Sequence, residues 1–162
     1  MAKDWRTSYF LQAKSDYETF FQMSVATPLC QRLHYLQMTT EKYAKGFKTQ
    51  PGAGPHAMTH QAFVSFMRLA KSDARLQRAC EFANKSSFHR YVDSLIPLAQ
   101  QIEQLSPDLA GNGPNPEYPW ETHDGVIAPI EYAFDGLDLK LITNARLRKL
   151  LDFIARCFQI VE

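Results

Sequence analysis

The stretch TPLCQRLHYLQMTTEKYAKGFK, residues 27–48, decides the fold. Thr27 can cap the first free backbone N–H groups of a helix, and Pro28 suits the first helical position, where a missing N–H costs nothing. Gly46 weakens the last turn, and the sequence TQPGAGP at residues 49–55 ends the helix. Apolar residues recur at steps of three, four or seven and so share one helix face: Leu29, Leu33, Leu36, Tyr43 and Phe47. The pattern predicts a central helix with one buried face.

The same helix carries the densest set of polar groups in the chain. His34, Glu41 and Lys45 fall on a neighbouring stripe, and Glu41 precedes Lys45 by four residues, the favourable order for an ion pair. Two interpretations of Glu41, Lys42 and Lys45 follow. They form a solvated helix face with an ordinary ion pair, or they line a polar pocket shared with His60 or with a later Pro-rich loop.

Length and composition bound the class of protein. A chain of 162 residues fits a single domain over residues 1–162, and 45% hydrophobic residues suffice for a core. The formal charge of +1 lacks the strongly basic balance of tight, sequence-independent nucleic-acid binders. No apolar run reaches the length of a signal peptide or a membrane span, so we expect a cytoplasmic protein with no membrane partner.

Cysteine and histidine spacing argues against a metal centre. Cys30, Cys80 and Cys157 are far apart and no Cys-x-x-Cys occurs, which favours reduced thiols over a disulfide framework or a zinc site. His56 and His60 are four residues apart, but no acidic residue completes a metal-binding pattern and no third ligand is evident. We therefore predict no metal and no cofactor.

Further helices flank the central one. Residues 7–26 form an amphipathic helix with Phe20 and Phe21 at helical intervals, joined to the central helix by a link of only a residue or two. The pattern then predicts short helices that begin after the caps Thr59 and Asp73, and two long helices. The short helices cover residues 59–71 and 74–83. The long helices cover residues 86–105, with a kink or restart at Pro97, and residues 144–161. The outer face of the last helix is basic, with Arg146, Arg148, Lys149 and Arg156.

A change of composition marks residues 106–125. Four prolines and three glycines predict a long loop, and residues 126–134 are expected to be extended or irregular. Tyr118 and Trp120 lie within the loop. Aromatic residues there anchor a loop to the domain or stack on a base, and both interpretations remain open.

These elements predict an all-α protein, an up-and-down four-helix bundle with extra short helices and a long Pro/Gly-rich loop before the last helix. Three local motifs strengthen that expectation. YFLQAKSDYETFF has Ala13 and Asp16 three residues apart, HYLQMTTEKYAKGF runs into Glu-Lys-x-x-Lys, and His60 heads the next apolar helix. Together with PEYPW before the last helix, these motifs resemble the HEPN family of bacterial and archaeal four-helix domains.

The resemblance implies one of two functions. Some family members are metal-independent ribonucleases of toxin–antitoxin, abortive-infection and CRISPR-associated systems, with an Arg four to six residues before a His on a late helix. This chain lacks that spacing, since Arg32 is too close to His34, Arg78 is too far from His89, and His123 has no arginine near it before it. Other members are non-catalytic partners of nucleotidyltransferases, or ligand-binding and oligomerisation modules.

We therefore expect a homodimeric, HEPN-like binding or regulatory module with no catalytic residues. The resemblance allows a nucleotide or RNA ligand and a nucleotidyltransferase or toxin–antitoxin partner. The alternative is a ribonuclease with a displaced set drawn from Arg32, His34, His60 and His89. The candidate ligand-binding residues are Arg32, His34, Glu41, Lys42, Lys45, His60, Tyr118 and Trp120.

Overall fold

The fold is mostly helical, which confirms the all-α prediction. The computed structural model describes residues 4–54, 62–111, 113–137, 139–140 and 142–161. Within them a short antiparallel hairpin of two strands is the only sheet. The helices are α1 (Trp5–Gln22), α2 (Leu29–Lys48), α3 (Ala62–Ala70), α4 (Ala74–Ala79), α5 (Lys85–Glu103), α6 (Pro107–Ala110) and α7 (Ala145–Gln159).

Helices α1 and α2 form an antiparallel pair. The Asp4 side chain caps α1 by accepting the Thr7 N–H. Six residues, 23–28, separate the two helices, so the predicted link of one or two residues is wrong. Thr27 is not the cap of α2: its own N–H donates to the Ser24 carbonyl, and Pro28 occupies the cap position without a side-chain hydrogen bond. The extra residues build a turn rather than extending α1.

Helix α2 is the centre of the molecule, as predicted, although it is buried on more than one face. Between residues 39 and 46 every side chain except Lys42 is buried. Tyr43 shows why, because its ring contacts Phe10, Phe66 and Phe158 with centroids 5.1, 5.1 and 5.2 Å away, and its hydroxyl donates to the Cys157 carbonyl at 2.8 Å. One ring thus joins α2 to α1, α3 and α7.

Helices α4, α5 and α7 begin at side-chain caps. Asp73 accepts the N–H groups of Arg75 and Leu76, as its position in the sequence predicts, while Asn84 accepts the Ser87 N–H and Asn144 the Leu147 N–H. Helix α5 continues through Pro97, so the predicted restart does not occur. The Thr59 cap predicted for α3 lies outside the described residues.

The segment predicted as an irregular loop contains regular structure. Strands β1 (Trp120–Thr122) and β2 (Gly125–Ile127) pair antiparallel across His123 and Asp124, and a 3₁₀ turn follows at Pro129–Glu131. The Trp120 ring contacts Tyr132 edge-on at 5.2 Å and lies 6.5 Å from Phe134. These rings hold the hairpin to the segment that precedes α7.

A connected set of buried apolar side chains from all four long helices, α3 and the segment before α7 forms the core. No helix in the described ranges is long and apolar enough to cross a membrane.

Candidate functional site

The buried pair Glu41–Lys45 replaces the predicted solvated face. Both side chains are buried, the Lys45 ammonium forms an ion pair with Glu41 Oε1, and Gln37 Nε2 donates to Glu41 Oε2 at 2.7 Å. The solvated interpretation is therefore wrong for Glu41 and Lys45. A buried carboxylate that is paired and hydrogen-bonded in this way supports the helix, and its bonds are directed at protein groups.

Lys42 forms a separate ion pair, with a residue of α1. Its Nζ is 2.6 Å from Asp16 Oδ2, and Gln12 Nε2 donates to Asp16 Oδ1 at 3.1 Å. Asp16 is buried, so this pair is an internal tie between the two helices. The polar residues of the Glu-Lys-x-x-Lys motif thus form two separate ion pairs, one within α2 and one between α2 and α1.

The two aromatic residues of the Pro-rich loop have different surroundings. Trp120 is buried in the contacts already described, so it anchors the hairpin. Tyr118 is exposed, and its N–H and that of Glu117 donate to Asn115 Oδ1 in a side-chain turn. A hydrogen bond to Glu117 raises the pKa of the Tyr118 hydroxyl. The two rings therefore do not form a shared exposed stacking platform.

Arg32 lies between α1 and the segment before α7. Its Nη2 donates to the Leu139 carbonyl at 2.7 Å, and the guanidinium carbon lies 5.9 Å from the centre of the Phe20 ring. Arg32 Nε is buried, and no described residue accepts a hydrogen bond from it. The side chain is one wall of a groove of about 490 Å³. Most of the groove is apolar, lined among others by Phe20, Phe21, Met23, Val25 and Ile142.

His34 lines a second depression, a cleft of about 430 Å³ between α2 and the Pro-rich loop. Its Nδ1 is 3.9 Å from Glu117 Oε2, at the edge of ion-pair range, and its ring packs against Tyr35 with centroids 5.5 Å apart. Met23 and Pro116 lie on the same cleft wall as these groups. The cleft offers a histidine, a carboxylate and an aromatic ring side by side.

Met23 belongs to both depressions, so the groove and the cleft are neighbours on one face. We call this face the Met23 surface. It is defined by Phe21, Met23, Val25, Arg32, His34, Glu117, Lys140 and Ile142. The structure thus brings two of the sequence candidates, Arg32 and His34, to one face. Their side chains enter different depressions and meet different partners, Leu139 and Glu117.

Sequence reasoning missed the apolar members of the Met23 surface. Phe21 was assigned to the apolar face of α1, but its side chain is exposed, as are Val25 and Ile142. The run FFQMSV contains two adjacent phenylalanines, of which only one can face the core of a helical domain. This adjacency is the sequence feature that could have indicated an exposed aromatic side chain. No sequence pattern indicates that Glu117 lies at this surface.

The remaining candidates lie elsewhere. His60 and His56 are outside the described residues. His89 is half-buried on α5, and no described residue forms a hydrogen bond with its buried Nε2. Across the described ranges no three His, Cys, Asp or Glu side chains are grouped to hold a metal ion. All three cysteines are free thiols, and burial raises the pKa of Cys80 to about 11 and that of Cys157 above its ordinary value, which makes both weak nucleophiles.

Comparisons with family models, with curated proteins and with solved structures find no match to this chain.

Proposed function

We propose that the protein is a non-catalytic, HEPN-like oligomerisation and binding module, and that its Met23 surface pairs with a second copy of the chain. The observation that carries this proposal is the character of that surface. It combines exposed apolar side chains, an apolar groove, and side chains of opposite charge.

The apolar part of the surface is the first argument. Val25 is 89% exposed and Ile142 is 91% exposed, and both project beside a groove of about 490 Å³. Phe21 is close to half exposed at the same groove. Contiguous exposed apolar residues around a recess mark interaction sites, because water is released when a partner covers them.

The second argument is self-complementarity. Two copies related by a twofold axis present the same patch to each other, so that patch must contain both halves of every contact. The Met23 surface has projecting side chains, Val25 and Ile142, next to a groove that can receive them. Glu117 lines the cleft, Lys140 and Arg32 line the groove, and Met23 belongs to both. A twofold axis near Met23 therefore brings the cleft of one copy toward the groove of the other, with opposite charges facing each other.

The HEPN-like part of the proposal draws on where the motif residues lie. Asp16 of the first motif forms an ion pair with Lys42 of the second, and Glu41 pairs with Lys45. The first pair joins α1 to α2 and the second lies within α2, and motif residues with such structural contacts suit a family scaffold. The missing Arg-x4–6-His spacing supports a non-catalytic member. Under the resemblance, a nucleotidyltransferase or toxin–antitoxin component and a nucleotide or RNA are further partners of the dimer.

The free thiols support the proposed cytoplasmic location, because a reducing compartment keeps cysteines unpaired.

Sedimentation velocity over a range of concentrations tests the dimer. The wild-type protein is expected to sediment with twice the chain mass of 18.6 kDa. Ile142→Glu places a charge in the apolar contact and is expected to weaken association by about tenfold or more.

Val126→Glu is the matched control. Val126 is 72% exposed on β2 and lines neither the groove nor the cleft, so this change adds the same charge outside the residues that define the proposed contact. Equal association of the two variants, or a monomeric wild-type protein at high concentration, would overturn the proposal. Circular dichroism of both variants confirms that the fold is retained.

A further inference from the structure

A third depression, a pocket, lies at the other end of α1, remote in sequence from the turn that contributes to the Met23 surface. Its volume is about 420 Å³, within the range of roughly 300–1,000 Å³ that small-molecule sites occupy. The first turns of α1, the last turn of α2, the start of α4 and the end of α7 each contribute to its wall. The pocket shares no lining residue with the groove or the cleft.

Aromatic rings form the floor of this pocket. Phe10, Phe47 and Phe158 line it, and each ring is held from behind by another ring. Phe10 and Phe158 contact Tyr43 with centroids 5.1 and 5.2 Å away, and Phe47 contacts Phe66 at 4.8 Å. The floor is therefore fixed before any ligand arrives, which lowers the entropic cost of binding a flat or branched apolar group.

Cationic side chains form the rim. Arg6 and Lys14 come from α1 and Arg75 from α4, and none of the described residues that line the pocket is acidic. The Arg6 guanidinium lies 5.6 Å from the centre of the Phe10 ring, and its Nη1 donates to the Thr49 carbonyl at 3.5 Å. That long bond and the ring contact orient Arg6 over the floor and leave its other N–H donors for a ligand.

Arg75 is oriented from outside the pocket. The Asp73 carboxylate accepts from Arg75 Nε at 3.4 Å and from Nη2 at 2.9 Å, so Nη1 keeps its donors. Asp73 reduces the net charge of this part of the rim. Hydrogen bonds from Thr7 are the main cause that lowers the pKa of Asp4, and the nearby charge of Arg6 lowers it further. The pocket is thus moderately rather than strongly electropositive, which suits a ligand of low charge.

We propose that this pocket binds a small organic acid, in which a carboxylate attached to an aromatic or branched aliphatic body meets Arg6 and Arg75 above the three-phenylalanine floor. Planar guanidinium groups bind carboxylates through paired hydrogen bonds, and the phenylalanine rings remove the apolar body from water. The assignment is independent of the Met23 surface. Dimerisation and acid binding can therefore fail separately.

Methyl-resolved NMR titration with 4-phenylbutyrate tests the site. Methyl resonances of Leu11, Ile160 and Val161, which line the pocket, are expected to shift saturably, while those of Val25 and Ile142 remain unshifted. The uncharged analogue 4-phenylbutyramide is expected to bind at least about tenfold more weakly, because it cannot form charge-assisted bonds to arginine. Equal binding of acid and amide, no saturable shift with the acid, or shifts confined to Val25 and Ile142 would overturn the proposal.

Two double variants distinguish the effect of the rim cations on affinity from the effect of the protein's net charge. Arg6→Gln with Arg75→Gln removes two rim cations and is expected to weaken binding of 4-phenylbutyrate at least about fivefold. Arg78→Gln with Arg90→Gln removes the same charge from exposed positions that do not line the pocket, and it should leave the affinity unchanged. Equal loss of affinity in both variants would also contradict the assignment.

Discussion

The carboxylate of Glu41 and the ammonium of Lys45 are buried together, and each compensates the charge of the other. Helical spacing correctly predicts that the two side chains meet, because residues four apart are neighbours on a helix. Spacing does not reveal which residues pack over the two side chains, so the same sequence motif is compatible with a solvated pair and with a buried pair. Burial, which depends on the tertiary contacts of α2, decides that these residues support the scaffold.

Glu103 shows the reverse case, a buried carboxyl group that no sequence pattern singles out. Its Oε1 accepts the N–H groups of Phe63 and Val64 at 2.8 and 3.2 Å, which ties the end of α5 to the first turn of α3. We expect Glu103→Ala to lower the free energy of unfolding by about 1–3 kcal/mol, because two buried donors lose their acceptor. Urea denaturation of the variant and the wild-type protein measures the change.

The variant Glu103→Gln keeps a hydrogen-bond acceptor at this position but removes the titratable carboxyl group, so it separates the two contributions to stability. Burial is the main cause that raises the pKa of Glu103, although both N–H bonds oppose it. The folded protein therefore holds this proton more tightly than the unfolded chain. The resulting stabilisation is complete below the ordinary glutamate pKa of 4.5 and is lost as the pH rises through the raised folded value.

The wild-type protein should thus lose stability relative to Glu103→Gln as the pH rises above 4.5 through that window. A glutamine carbonyl still accepts the two N–H bonds, so the variant is expected to remain more stable than Glu103→Ala. A stability difference between wild type and Glu103→Gln that is constant with pH would contradict the raised pKa.

At the scale of elements, Gly46 determines how closely α1 and α2 approach. The sequence suggests a residue that only weakens the last turn of α2, and the helix ends at Lys48 as predicted. A Cβ atom at position 46 would lie 2.9 Å from Cε1 of the buried Phe10 ring. Glycine is present because the ring of one helix packs directly on the backbone of the other.

Gly46→Ala is therefore expected to destabilise the protein by about 1 kcal/mol, since an overpacking cost of about 1–3 kcal/mol exceeds the helix-propensity gain of up to about 1 kcal/mol. The midpoint of urea denaturation reports the change. Adding Phe10→Leu to this variant should cost less than Phe10→Leu costs in the wild-type background. A higher midpoint for Gly46→Ala alone would show that the ring can move aside.

The sequence predicts long secondary-structure elements more accurately than short ones. The four long helices were predicted within a few residues because many apolar positions repeat in each, and Pro97 did not end α5 because it lies on the exposed side of that helix. The hairpin was missed because strands of three residues are too short to display alternation. Trp120 anchors it through Tyr132 and Phe134, contacts between segments that no local pattern specifies.

At the scale of the whole molecule, the sequence predicts the helical class and a central α2 but not the candidate site. Arg32 and His34 are nearly adjacent in the chain, yet they enter different depressions because loop residue Glu117 and Leu139 meet them from opposite sides. Exposed apolar residues such as Val25 and Ile142 become visible as one surface only once α1, α2 and the segment before α7 are placed together. The proposed dimer follows from that placement.

A charge exchange across the proposed twofold axis tests the self-complementary Met23 surface most directly, with the dimer dissociation constant measured by sedimentation equilibrium. Glu117→Lys and Lys140→Glu, each made alone, are expected to weaken the dimer several-fold, because like charges then face each other across the interface. The double variant restores opposite charges and should return the dissociation constant to within about twofold of wild type. Losses that simply add in the double variant, or single variants that associate as wild type does, would contradict the pairing.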